Sequence, residues 1–195
     1  FNRSANQCLA IMDDKGNIQK HPSNALIEGV PQGYTGHVRD PKVFKKNGQY
    51  YMILGAQRLD ETGTFIMYQS PDGVDWSFLG ELTLKNFNQN LGYMWECPDF
   101  AEIDGKDLLI FSPQGVEVQG EKYKNLFNVT YVIGKLDLDQ LIFEVESFDE
   151  FERGFDFYAT QTFKGKENQK YINYRKSTIG IYSIMSDTRY IKFFI

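Results

Sequence analysis

Asp40-Pro41-Lys42-Val43-Phe44, a turn at Asn47-Gly48, then Tyr50-Tyr51-Met52-Ile53-Leu54-Gly55: this stretch decides the fold because it recurs. Cys97-Pro98-Asp99-Phe100-Ala101 leads in the same way through Asp104-Gly105 to Leu108-Leu109-Ile110-Phe111-Ser112. In both copies the turn glycine follows the proline by seven positions. Asn-Gly and Asp-Gly are strong hairpin signals, because both central residues of a type I′ turn need positive φ. A weaker third copy runs from Tyr158-Ala159-Thr160-Gln161-Thr162-Phe163, past a turn near Asn168, to Tyr171-Ile172-Asn173-Tyr174. Anchored on Pro41, Pro98 and Thr160, the copies lie 57 and 62 positions apart.

The other half of each unit repeats as well. Phe65-Ile66-Met67-Tyr68 passes through Ser70-Pro71-Asp72-Gly73 to Trp76-Ser77-Phe78-Leu79. Tyr131-Val132-Ile133-Gly134 leads to Leu141-Ile142-Phe143, and Gln7-Cys8-Leu9-Ala10-Ile11 leads through Asp14-Lys15-Gly16-Asn17 to Ile18. Each unit therefore reads as four antiparallel strands in two hairpins, at a period of about 60 residues, which is the sequence form of a β-propeller. An irregular β-sandwich with coincident turns is the alternative, and the agreement of turn spacing with strand count favours the propeller. The expected divisions are 1–30 as the outer half of one blade, then 39–85, 96–148 and 156–195 as successive blades.

Composition agrees with an all-β reading. Aromatic residues make up 15% of the 195-residue chain, in short runs bounded by Gly, Asn and Asp. A net charge of −5 argues against nucleic acid or an anionic membrane as a partner, since both need clustered positive charge. No apolar run approaches a membrane span. Two cysteines, Cys8 and Cys97, cannot build a disulfide framework, which points to the cytoplasm. His21 and His37 are too few and too far apart for a metal site, although His37 is a candidate pocket residue beside Arg39. Gln57 and Arg58 end a strand and are either substrate-facing or plain loop residues.

Two places depart from what a purely structural strand needs. Gly36-His37-Val38-Arg39-Asp40-Pro41 sets a charged pair at the start of an apolar strand, and Gly92-Tyr93-Met94-Trp95-Glu96-Cys97-Pro98-Asp99 sets acids among large apolar groups. Asp40 precedes its proline by one position and Glu96 by two, so both acids fall at nearly the same point of their repeats. First strands of propeller blades line the central channel, which brings both carboxylates to one mouth. Paired carboxylates in an aromatic pocket suit glycosidic cleavage: one delivers a proton to the leaving oxygen, the other supports an oxocarbenium-like transition state. The plain alternative pairs Arg39 with Asp40 and leaves Glu96 a satisfied strand-end acid.

On these residues the chain resembles glycoside hydrolase family 32, the β-fructofuranosidases. The matching segments are Arg39-Asp40-Pro41-Lys42-Val43, Met94-Trp95-Glu96-Cys97-Pro98-Asp99, Ser112-Pro113-Gln114-Gly115 and Gly154-Phe155-Asp156-Phe157-Tyr158-Ala159. The resemblance implies a five-bladed propeller with the active site in its funnel, followed by a β-sandwich. It implies Glu96 as general acid/base, Asp40 as transition-state stabiliser and Arg39 as a donor to the fructosyl unit. Asp99 and Tyr158 are then candidates for the network around Glu96, with Trp95 and Cys97 as pocket walls. The substrate would be sucrose or sucrose 6-phosphate, cleaved with retention, without metal or organic cofactor.

Two departures from the pattern stand out. The family's nucleophile lies in a W-M-N-D-P-N-G motif that this sequence does not contain. Beyond Phe163 the likeness fades: Thr160 stands in place of a proline, and Tyr171-Ile172-Asn173-Tyr174-Arg175-Lys176 replaces a Trp-containing strand. With Phe1 as first residue and an apolar Tyr190-Ile191-Lys192-Phe193-Phe194-Ile195 tail, the expectation is a partial propeller, inactive alone, with the β-sandwich absent. A non-catalytic fructoside-binding propeller is the competing expectation.

Overall fold

The computed structural model describes residues 4–154, 157–164 and 170–176. The described residues form twelve strands and no helix. A short hairpin, β1 (Ala10–Met12) and β2 (Ile18–Lys20), comes first. β3 (Tyr34–Lys46), β4 (Gln49–Arg58), β5 (Gly63–Ser70) and β6 (Ser77–Lys85) then form one antiparallel meander. β7 (Met94–Ile103), β8 (Lys106–Gln114), β9 (Thr130–Asp137) and β10 (Ile142–Glu150) form a second. β11 (Phe157–Lys164) and β12 (Lys170–Lys176) pair antiparallel. This is the blade pattern of a β-propeller. The Asn168 turn and the residues after 176 lie outside the described residues.

The turns form for the reason their sequence gives. Asn47 and Gly48 have φ of 51° and 81°, and Asp104 and Gly105 have 48° and 79°, the doubly positive pair of a type I′ hairpin. Strict alternation on β4, β5 and β8 then sends side chains to two different cores. Tyr51, Ile53, Phe65, Met67, Leu109 and Phe111 enter the layer between the two meanders, together with Trp95 and Phe143. Met52, Leu54, Ala56, Ile66 and Tyr68 pack the opposite face of the first meander, against Ile27 and Val30. Leu108 and Ile110 pack the opposite face of the second, against Phe157 on β11 and Ile172 on β12. Burial on both faces explains why these strands read as continuous apolar runs. Phe65, Trp95 and Phe111 meet pairwise at 4.9–5.1 Å between ring centres and tie the blades together.

The outer edges hold a feature absent from the sequence reading. β6 and β10 pair in parallel, Thr83 to Ile142 and Lys85 to Glu144, joining both meanders into one eight-stranded sheet. Over these three residue pairs each outer strand covers N–H and C=O groups of the other that would otherwise lie on an open edge.

Candidate active site

The first strands of the three consecutive units carry the same defect. The pairing of β3 with β4 slips between Arg39 and Lys42, that of β7 with β8 between Glu96 and Asp99, and that of β11 with β12 between Tyr158 and Gln161. At each slip one non-glycine residue has positive φ: Asp40 at 61°, Cys97 at 49° and Ala159 at 52°. These are β-bulges, which leave a residue out of the ladder and re-aim its neighbours. Pro41 and Pro98 fit there because an unpaired position needs no backbone donor. Three bulges in register hold strained backbone at one level of the molecule, as functional sites do.

Because the bulges match, equivalent side chains meet. Arg39, Glu96 and Tyr158 occupy the same position in their strands, and they converge. Arg39 donates to Glu96 Oε1 from Nε at 2.8 Å and from Nη2 at 2.6 Å, while the Tyr158 hydroxyl donates to Glu96 Oε2. One position further on, Asp40 Oδ2 accepts the backbone N–H of Cys97 at 3.0 Å, with the Cys97 thiol at 3.7 Å. Beyond the bulge, Lys42 forms an ion pair with Asp99, which also accepts the backbone N–H and hydroxyl of Thr162. Gly55, opposite Arg39 in the ladder, permits this approach: a Cβ there would overlap the Trp95 carbonyl.

The electrostatics follow from burial. Desolvation, then Glu96 as an accepting neighbour, pushes the Tyr158 phenol well above its ordinary range, so it remains a donor. Burial and the nearby Asp40 carboxylate push the Cys97 thiol up in the same way, which makes it a wall and not a nucleophile. Asp99 is fully buried; desolvation raises it even though Lys42 and Thr162 pull the other way.

Several expectations change in detail. Arg39 holds Glu96 at 2.6 Å and Asp40 only as a 4.0 Å ion pair, so its pairing with its sequence neighbour is present but is the looser of the two. Trp95 is not brought to the carboxylates: alternation turns it into the core between blades, where its Nε1 donates to the Leu91 carbonyl at 2.9 Å. Asp99 is held by Lys42 and Thr162 in a clasp of its own, and none of those contacts involves Glu96. Gln57 is a buried strand residue, accepting from the Thr35 hydroxyl and donating to the Tyr93 carbonyl. Gln114, quoted from the sequence only as part of a matching segment and given no role, donates its amide to Glu96 Oε2. Glu96 stands opposite Ser112 in the ladder, and Gln114 is the same-face diagonal neighbour two places on.

A cavity of about 290 Å³ opens elsewhere, beside Arg58, Glu81, Phe87 and Trp95. Its charged groups are already spent. Arg58 uses all five N–H groups on Glu81, Thr62, Thr64 and the Gly63 carbonyl.

Aligned bulges on the blades of a β-propeller thus gather a carboxylate, an arginine, a phenol and a second carboxylate, the kinds of group that acid–base chemistry uses. The family model for the glycosyl hydrolases family 32 N-terminal domain matches residues 1–178, and the chain belongs to that family. A sucrose-6-phosphate hydrolase of Staphylococcus xylosus is 41% identical over 170 residues, covering 87% of this chain and 34% of the relative. A Bombyx mori GH32 β-fructofuranosidase variant, solved in complex with sucrose, superposes with a TM-score of 0.76 at 37% identity, over 86% of this chain and 35% of that one. A sucrose-6-phosphate hydrolase of Lactobacillus gasseri does so at 0.77 and 33%, over 87% and 35%. The chain spans about a third of the length of the curated relatives it matches.

Proposed function

We propose that this chain forms the acid-bearing part of a cytoplasmic, retaining β-fructofuranosidase that cleaves sucrose or sucrose 6-phosphate. The observation that carries the proposal is the convergence of Arg39, Gln114 and Tyr158 on the Glu96 carboxylate, one strand position from Asp40. Sucrose-6-phosphate hydrolase and β-fructofuranosidase relatives support the substrate class.

In this proposal Glu96 protonates the departing glucosyl oxygen and then activates water. Its two oxygens are held differently: Oε1 faces Arg39, which can only donate, and Oε2 faces a phenol and an amide, groups that can also accept. Asp40 is oriented by the Cys97 N–H and hydrogen-bonds the fructosyl hydroxyls, helping to stabilise the positive charge that develops at the anomeric carbon. Arg39 has two N–H groups without a partner among the described residues, and they serve the same sugar. A further carboxylate attacks the anomeric carbon; we assign it to a W-M-N-D-P-N-G segment that this sequence does not contain.

The test is sucrose and sucrose 6-phosphate hydrolysis by the complete gene product. Glu96→Ala is expected to lower kcat on the order of 10³-fold, as loss of a general acid does. Activity within tenfold of the parent would remove Glu96 from the role. The ratio of kcat/KM for the two sugars assigns the substrate.

A further inference from the structure

His37 lies two residues before Arg39 on β3, hence on the same face of the strand. Its Nδ1 stands 3.0 Å from Arg39 Nη1. Either ring nitrogen of a histidine can be the donor, so such a contact alone leaves the tautomer open. Here the partner decides it. A guanidinium has five N–H groups and no acceptor, and it is protonated throughout the accessible pH range. The bond therefore runs from Arg39 to a bare Nδ1, and the neutral ring carries its proton on Nε2.

This contact settles where Arg39 points. Two of its nitrogens hold Glu96 Oε1, at 2.8 and 2.6 Å, and the third is held by His37. A competing acceptor is close by, since Asp40 Oδ2 lies 4.0 Å from Arg39 Nε. Free of His37, the guanidinium has a short swing to Asp40 and would leave Glu96 Oε1 with fewer donors. We infer that His37 is a positioning residue: its unprotonated Nδ1 holds Arg39 on the acid Glu96 and away from Asp40. The inference rests on the glycosidase role proposed for Glu96, and it adds an acceptor requirement to that role.

Two experiments test it. The first needs no activity. The chain has only two histidines, so a two-bond ¹H–¹⁵N spectrum of the 195-residue protein, assigned with a His21→Asn variant, reads the His37 tautomer directly. The expected spectrum shows Nδ1 as the unprotonated nitrogen and Nε2 as the protonated one with no minor tautomer, and Arg39→Met is expected to let the Nδ1-protonated form appear, as in a free imidazole. A parent ring protonated on Nδ1, or one that already mixes the two tautomers as a free imidazole does, overturns the inference. The second uses sucrose turnover by the complete gene product. Asn places a carbonyl oxygen where Nδ1 was, Gln places its amide where Nε2 was, and Phe keeps the shape without either. His37→Phe and His37→Gln are expected to lose about tenfold or more in kcat/KM, the worth of one hydrogen bond to a charged group, and His37→Asn to recover to within about threefold of the parent. Activity of His37→Gln above His37→Asn would put the function on Nε2 and overturn the assignment, as would a fully active His37→Phe. Glu96→Gln run alongside separates the two failures: if that variant keeps its turnover, the glycosidase role fails, while the tautomer spectrum still judges His37.

Discussion

The molecule contains two arginine–glutamate pairs that look alike on paper and differ in every consequence. Arg58 ends β4 and Glu81 lies on β6 of the same blade, and Arg58 spends all its N–H groups within that blade. Arg39 and Glu96 come from first strands of different blades, sit at bulges with positive φ, and leave two arginine N–H groups unspent among the described residues. A saturated pair is a brace. An unsaturated pair, bent out of its ladders and surrounded by a phenol, an amide and a second carboxylate, is placed to act on something else. The lesson is that donor accounting separates the two pairs, whereas the presence of an ion pair or of a cavity does not: the 290 Å³ cavity lies beside the brace.

The sharpest way to break this comparison is to delete each arginine. Arg39→Met is expected to lower kcat/KM for sucrose on the order of 10³-fold, and to cost stability as well because it leaves the buried Glu96 carboxylate without its cation. Arg58→Met is expected to keep activity within about tenfold and to lower stability by about 2 kcal/mol, kept modest because both partners are partly solvated. Chemical denaturation and steady-state kinetics on the same samples read both effects. Exchange of the two outcomes would dissolve the distinction.

A second effect concerns the buried donors around the acid. The Cys97 thiol and the Tyr158 phenol are held above their ordinary values of 9.0 and 10.0 in the folded chain. In the unfolded chain they ionise near those values, so above about pH 9 the native state binds more protons than the unfolded one. Stability then falls as pH rises, by up to about 1.4 kcal/mol per pH unit for each group. Denaturation midpoints between pH 8 and 11 should decline, and Cys97→Ala together with Tyr158→Phe should flatten the decline. An unchanged slope in the double variant would mean that these groups are not the buried acids described.

Smaller changes refine the contrast between brace and site. Gln114→Leu removes one donor from Glu96 Oε2 and should cost about tenfold in kcat. Its counterpart Thr64→Val removes one acceptor from Arg58 and should cost about 1 kcal/mol of stability with kcat unchanged. Cys97→Ala should change kcat/KM by less than about threefold, because the close contact to Asp40 comes from the backbone N–H and the thiol lies further off. A large loss in that variant would move the Asp40 contact from the backbone to the sulfur.

The propeller was legible because its signals are local. Asn47-Gly48 and Asp104-Gly105 demand their turns, and alternation on Tyr51 to Ala56 and Leu108 to Phe111 assigns each side chain to one of two cores. Arg39, Asp40 and Glu96 could be singled out as charged residues on apolar strands, and Cys97 and Tyr158 by the resemblance to the family's motifs. The bulges that bring them together could not. A residue before proline is biased towards extended backbone, so Asp40 and Cys97 gave no warning of positive φ, and Ala159 has no side chain to favour it. Gln114 is hidden for a related reason: its proximity to Glu96 depends on ladder register across β7 and β8, which sequence spacing does not contain. Trp95 shows the opposite failure. Adjacency to Glu96 in sequence suggested a shared pocket, but neighbours on a strand face opposite ways.

The central claim is that Glu96 is the proton donor of fructoside cleavage. It is tested most directly by Glu96→Gln in the complete gene product, assayed on sucrose and on β-fructofuranosyl fluoride, whose fluoride departs without protonation. The account predicts a loss on the order of 10³-fold with sucrose and less than about tenfold with the fluoride in the bond-breaking step. Equal losses on both substrates, or an undiminished rate on sucrose, would contradict it.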